Sequence, residues 1–344
     1  MVTIRDVAAQ AGVSVSTVSH VINGTRFVEP VTEARVRSAI HDLSYRPNSI
    51  ARSLRRRSTA TIGLLVPDNS NPFFAEVARL IEDFGFDQGF SVILCNSDGL
   101  QARETTYVNV LLSRQVDGLL TISAGAHPDF LKAILDAHVP VVVVDRAAGE
   151  WPVDQVLVDN DEGGYLAGRY LAGLGHRKIG CIAGPRTATP SAGRIVGFRR
   201  ALDEAGIALP DQAVVSGDFQ YGGGAAAMQT LIERQPELTA VFATNDQMAL
   251  GAISALQRAG LRIPDDLSVI GFDNIPQAAA FYPALTTLAQ PFEALARESL
   301  RLLIERINGS LAEPVRIVLH PLLIERESCS IVPSTAPSHE RFNQ

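Results

Sequence analysis

Polar and aromatic residues recur just past short apolar runs of this chain. Asn71, Phe73 and Phe74 follow TIGLLV, Asp145 and Arg146 follow VPVVVV, and Phe219 ends VVSGDF. Asn245 follows AVFAT, Asp273 follows VIGF, and Gln290 follows TTLA. Arg194 opens the helical pattern after GPRTATPSAG. A carboxylate accepts hydrogen bonds, a guanidinium donates them, and an amide does both. Phenylalanine rings offer flat apolar faces. A sugar presents the complement, with C–H faces and a rim of hydroxyls. An Asp beside an Arg also lowers the charge cost of burial. Taken singly, each residue reads equally well as a helix cap, a loop ion pair or a core ring. Their shared place at the ends of successive apolar runs is what that reading leaves unexplained.

Other chemistries lack their signatures. Tyr221-Gly222-Gly223-Gly224 has neither the GxGxxG nor the GxxxxGK spacing of a phosphate loop. There is no HExxH, no GxSxG and no His/Cys cluster. We therefore expect no catalytic residue, no metal and no cofactor. An enzyme acting on a bound sugar through Asp145, Arg194 and Asp273 would need a base–nucleophile pair, and the sequence shows none.

A second group of residues lies near the start. Thr3 reads as an N-cap with Asp6 three residues later, close to a capping box. Ile4, Val7, Ala8 and Ala11 share one helical face, and Gly12 ends that helix. Ser14 caps a second helix whose Val18, Val21 and Ile22 face inward, and Asn23-Gly24 closes it. A third helix is expected over 32–43, with Val36, Ile40 and Leu43 inward. Two short helices joined by a glycine turn in a basic segment describe a helix-turn-helix. Its second helix leaves Val15, Ser16, Thr17, Ser19 and His20 outside. Small side chains let such a helix enter a major groove. Val15, Ser16 and His20 are expected on base edges, with Thr17 and Ser19 nearer phosphates. A plain three-helix bundle with a solvated Ser/Thr face is the alternative the pattern leaves open.

The stretch Arg46–Arg57, RPNSIARSLRRR, joins that segment to the rest. It holds five arginines and no acid, and Ile50 and Leu54 would share a helical face. Twelve residues are marginal for an isolated helix, so a helix formed only when held is expected. From Thr61 onward, apolar strand patterns alternate with amphipathic helical ones. Such alternation implies parallel sheets covered on both faces. The repeats exceed one sheet, and two halves over roughly 61–160 and 161–290 fit better. Ligands in such folds bind beyond the carboxyl ends of the strands, where the first group of residues lies.

Charge divides the chain in the same place. The net charge is −7, but residues 1–60 carry nine arginines against four acids. A basic head on an acidic body suits a phosphate partner at one end. Three scattered cysteines point to a reducing compartment. The N-terminus shows no apolar signal segment and no run reaches membrane-spanning length. A cytoplasmic protein without membrane contact is expected.

IRDVAAQAGVSVSTVSHVIN, then RPNSIARSL, then a doubly wound sensor resembles the lactose-repressor family of bacterial transcription regulators. The resemblance runs to about Ser328, and within the family it looks nearest to ribose and purine repressors. It implies an all-α headpiece (1–46), a hinge helix and linker (47–60), and a periplasmic-binding-protein-like α/β sensor. The sensor's N-subdomain would span 61–160 and about 291–321. Its C-subdomain would span 161–290 and about 322–330, with a disordered tail at 331–344. The resemblance also implies a homodimer on a near-palindromic operator, with paired hinge helices in the minor groove. Leu54 matches the wedge leucine that partly unstacks the central base step. Asn48 and Ala51 match hinge positions crowded against DNA and the partner hinge, and Ser16 and His20 match base-reading positions. The sensor residues named above match a set that encloses a pentose, which makes D-ribose the leading effector. The purine repressors place Arg where this chain has Ala188 and Gly where it has Asn245. A purine or nucleoside co-repressor is the alternative. Leucine heptads are absent from the tail, so a dimer is expected rather than a tetramer.

Overall fold

The computed structural model describes residues 2–45, 58–122, 129–186 and 188–332. It divides into two compact units, Met1–Thr59 and Ala60–Gln344. The expected hinge helix with Asn48, Ala51 and Leu54 lies outside the described residues, as does the tail beyond 332.

The first unit holds three helices, α1 (Ile4–Ala11), α2 (Val15–Asn23) and α3 (Pro30–Asp42). At the start of α1, Asp6 Oδ2 accepts from Thr3 N and Thr3 Oγ1, each at 2.8 Å. Gly12 and Gly24 close α1 and α2 with φ of 64° and 60°, a region that costs a side chain strain and glycine little. Ser14 Oγ accepts from Thr17 N at 3.1 Å and caps α2. Val7, Val18 and Val36 are fully buried at the centre of the bundle. The third helix starts at Pro30, two residues before the expected start. Proline suits a first turn because its missing N–H has no partner there anyway.

The second unit holds two six-stranded sheets. The first contains β1 (Thr61–Val66), β2 (Ser91–Asn96), β3 (Gly118–Thr121), β4 (Val141–Asp145), β5 (Asp154–Val158) and β11 (Arg316–Leu319). Their order is β11-β5-β4-β3-β1-β2, parallel throughout. The second contains β6 (Ile179–Ala183), β7 (Val214–Ser216), β8 (Ala240–Ala243), β9 (Ser268–Asp273), β10 (Thr286–Ala289) and β12 (Leu322–Ile324). Its order is β12-β10-β9-β8-β6-β7. All its pairings are parallel except β10–β12, which is antiparallel. The doubly wound architecture read from the sequence therefore holds, with one antiparallel edge that the three-residue β12 did not announce.

Helices cover both faces of each sheet. Among them are α4 (Pro72–Asp87), α5 (Gln101–Ser113) and α6 (Asp129–Asp136) on the first. The second carries α7 (Asn160–Gly173), α8 (Thr189–Glu204), α9 (Tyr221–Arg234), α10 (Asp246–Arg258) and the short α11 (Pro276–Ala280). The last helix, α12 (Phe292–Ile307), returns to the first sheet. Its Leu295, Leu300, Leu302 and Leu303 join the core around Ile62, Leu64 and Val142. The chain thus passes between the sheets after β5, after β10 and between β11 and β12.

Candidate effector site and nucleic-acid interface

The strands of both sheets end on one cavity. About 30 Å3 of inner space is lined by Asn71, Phe73, Phe74, Asp145, Arg146, Pro190, Arg194, Phe219, Asn245, Asp273 and Gln290. All ten residues expected at the sensor site are in that lining, and Pro190 joins them.

Each side chain is held by the element that carries it. Asn71 caps α4, its Oδ1 accepting from Phe73 N at 3.0 Å. That turn stacks Phe73 edge-on to Phe74, with ring centroids 4.9 Å apart. Asn245 caps α10 by accepting from Met248 N and donates through Nδ2 to Phe219 O, both at 3.0 Å. Phe219 lies beyond β7 rather than ending it, because the strand stops at Ser216. Its ring packs where a Cβ on Gly184 would stand 2.3 Å away, so Gly184 makes the room for it.

Arg194 is the most constrained member. It sits in the second turn of α8, which starts at Thr189 rather than at Arg194, since Pro190 is compatible with a first turn. Its Nε donates to Asn160 Oδ1 at 2.8 Å and its Nη1 to Thr244 O at 2.5 Å. Asp273 Oδ1 lies 3.5 Å from Nη1, and the guanidinium carbon stands 3.6 Å from the Phe272 ring centroid. Asp273 also accepts from Gln290 Nε2 at 2.7 Å. The sensor set expected from the sequence does not include Asn160, Gly184 or Phe272, the last of which stands at a strand end beside Asp273. Asn160 and Gly184 act on the site from distant positions without a local motif, and Phe272 reads as a core ring.

Three carboxylates gather around this arginine. Burial pushes the Asp273 carboxyl up to about 7, with Arg194 and Gln290 working against it. Burial and the neighbouring Asp273 push Asp246 well above the carboxylate range. Its oxygens accept from Thr287 Oγ1 at 2.6 Å and Ile275 N at 2.9 Å. Asp145 is also raised by burial, against the pull of Arg146 and Arg194. The Asp145–Arg146 pair is 3.9 Å apart, too long for a hydrogen bond. Asp145 Oδ1, Arg146 Nε and Gln290 Oε1 are buried without a hydrogen-bond partner. Among the described residues only one other buried side-chain atom, Thr121 Oγ1, shares that condition. Each orphaned group costs about 1–3 kcal/mol. The site therefore offers two acceptors and a donor to a polar ligand, between aromatic walls.

In the first unit, α2 exposes Val15 and Ser16 to solvent, with Thr17, Ser19 and His20 half-buried. His20 Nδ1 lies 2.8 Å from Thr25 Oγ1, and Asn23 Nδ2 donates to Ser19 O at 2.7 Å. The exposed edge of α2 is thus short, polar and fixed from within.

A helix-turn-helix unit and a two-sheet binding unit in one chain define a ligand-responsive bacterial regulator. Residues 3–48 match the family described as bacterial regulatory proteins, lacI family. Residues 59–326 match the periplasmic binding proteins and sugar binding domain of LacI family. The chain belongs to the LacI family. It is a DNA-binding transcriptional repressor with a ligand-binding domain, and not an enzyme.

It is 43% identical over 330 residues to the HTH-type transcriptional repressor PurR of Pectobacterium carotovorum, covering 95% of this chain and 97% of that one. A LacI family regulator from Enterococcus faecium with bound ribose is 35% identical, with a TM-score of 0.73, covering 79% of this chain and 100% of the other. A lac repressor dimer bound to operator and an anti-inducer gives 30% identity and a TM-score of 0.84, covering 96% and 99% of the two chains.

Proposed function

We propose that this repressor is relieved by a small sugar, with D-ribose as inducer. The observation that carries this is the set of orphaned groups in an aromatic-walled cavity: Asp145 Oδ1, Arg146 Nε and Gln290 Oε1. Ring hydroxyls both donate and accept, so one pentose can answer all three. Phe73, Phe74 and Phe219 supply surfaces for its C–H faces. The ribose-bound Enterococcus relative supports the same assignment.

The chain works in this reading as a homodimer on a near-palindromic operator. Val15, Ser16 and His20 read bases, and Thr17 and Ser19 approach phosphates. Asn48, Ala51 and Leu54 in a hinge over 47–60 engage the minor groove. A segment that folds only on DNA meets its ordering cost at binding, which opens it to control. Ribose then acts through its higher affinity for the DNA-incompetent state. Tenfold relief requires about 1.4 kcal/mol of such preference.

A purine co-repressor is the second reading, favoured by the PurR relatives. Against it stands Ala188, which is buried and brings no basic side chain to the cavity's outer wall. Calorimetry with D-ribose and with hypoxanthine separates the two. The first reading expects heat from ribose alone. Saturable binding of hypoxanthine without ribose binding would replace it with the second.

A further inference from the structure

The inner cavity continues into a wider chamber of about 410 Å3, and Asn71, Phe74, Arg146 and Phe219 line both. A ring held by the inner groups therefore turns its outward substituent into this chamber. We propose that the outer chamber is a subsite that admits uncharged substituents and rejects anionic ones, so that the protein responds to a neutral sugar and not to its phosphate ester. This rests on the sugar reading above.

The chamber's charges carry the argument. Asp68 and Asp98 enter it from the first sheet's side and Asp218 from the second's. Asp68 accepts from Ser70 Oγ at 2.6 Å and from Gln220 Nε2 at 2.6 Å. Burial works against its ionisation, but hydrogen bonds from Ser70, Gln220 and Asn71 outweigh it and hold the carboxyl below its ordinary range. Asp218 accepts from Gln220 N at 2.8 Å. Asp98 is bridged to Arg103. Among the described residues the cation in the lining is Arg146, already beside Asp145. Arg186, on the loop between lining residues Pro185 and Ala188, is exposed and outside the lining. Among the described residues Asp68, Asp98 and Asp218 therefore outnumber Arg146 and the Arg103 bridged to Asp98 where a phosphate would sit. Like charges about 8 Å apart disfavour binding by roughly two- to thirtyfold per pair, for effective dielectrics between water and protein surface.

Calorimetry on the full chain with D-ribose and D-ribose 5-phosphate tests this at low and high salt. The ester is expected to bind at least about tenfold more weakly, with the ratio shrinking as salt screens the chamber. In the triple variant Asp68→Asn, Asp98→Asn, Asp218→Asn the ratio should fall several-fold at low salt. An ester that binds as tightly as the sugar, or a ratio unmoved by the triple variant, overturns the proposal. A ligand-free measurement separates it from the ribose reading. Trp151 is the chain's one tryptophan, so Trp151→Phe with Tyr221→Trp places a single reporter next to Gln220. Relative to free tryptophan, caesium is expected to quench that reporter better than iodide, and the triple variant to remove the preference. Equal quenching by the two ions, each relative to free tryptophan, in the reporter chain with its three aspartates intact overturns the subsite even if ribose itself fails to bind.

Discussion

Asp145, Phe219 and Asp273 have φ of 67°, 67° and 117°, in a region that side-chain-bearing residues rarely occupy. All three line the effector cavity, and each lies at or just past a strand end. Strain of this kind, of order 1–3 kcal/mol per residue, persists where surrounding structure fixes it, as at ligand sites. Ten of the eleven cavity residues were legible in the sequence because strand ends in such folds meet at one place. Their supports were not: Asn160 reaches Arg194 across 34 residues, and Phe272 reads simply as a core ring. Replacing Arg194 leaves Asp273 buried without its main cation. Arg194→Ala should therefore weaken sugar binding by at least about a hundredfold, as expected for a buried charge left unpaired. Calorimetry checks this, alongside operator binding without sugar, which should stay.

At the scale of elements, glycines set how closely helices approach. A Cβ on Gly164 of α7 would stand 1.8 Å from Arg194 O, and one on Gly197 of α8 would stand 1.7 Å from Asp161 O. Gly224 and Gly251 make the same close contact between α9 and α10. Within the run Tyr221–Gly224, Gly224 is thus explained by helix packing, Gly223 faces the Asp218 carboxylate, and Gly222 has open space around it. Gly164→Ala must push apart two helices, one of which carries Arg194. It should cost about 1–3 kcal/mol, the range for overpacking, in denaturant unfolding. Gly173→Ala, with nothing within 4 Å of its Cβ, is the control and should not destabilise. The glycines were visible in the sequence, but which helix faces they join depends on topology.

The same scale carries a pH effect. His176 Nε2 donates to Ser330 O at 3.1 Å and Nδ1 lies 2.9 Å from Thr239 Oγ1. Burial lowers its pKa from 6.5 to about 4, against the Ser330 hydrogen bond. The unfolded chain takes that proton first, so the stabilisation is complete above about 6.5 and declines as pH falls toward 4. The melting temperature of His176→Gln should change less between pH 7 and pH 5 than that of the parent. An equal change in both would remove His176 from the account.

The whole molecule pairs a basic headpiece sequence with an acidic binding unit, and that division was legible from charge alone. Alternating apolar and amphipathic segments also foretold the two sheets. The passages after β10 and between β11 and β12 were harder to read from periodicity, because strands of three or four residues carry little periodic signal. No helix among the described residues is long and apolar enough to cross a membrane. The central claim is that a ligand between the two sheets controls DNA binding by the helix-turn-helix unit. Titrating D-ribose into a preformed complex of the full chain with its operator, read by fluorescence anisotropy, tests it most directly. The account predicts saturable release of operator at the sugar concentrations that saturate the sensor. Operator binding that stays unchanged or tightens at saturating ribose would contradict it.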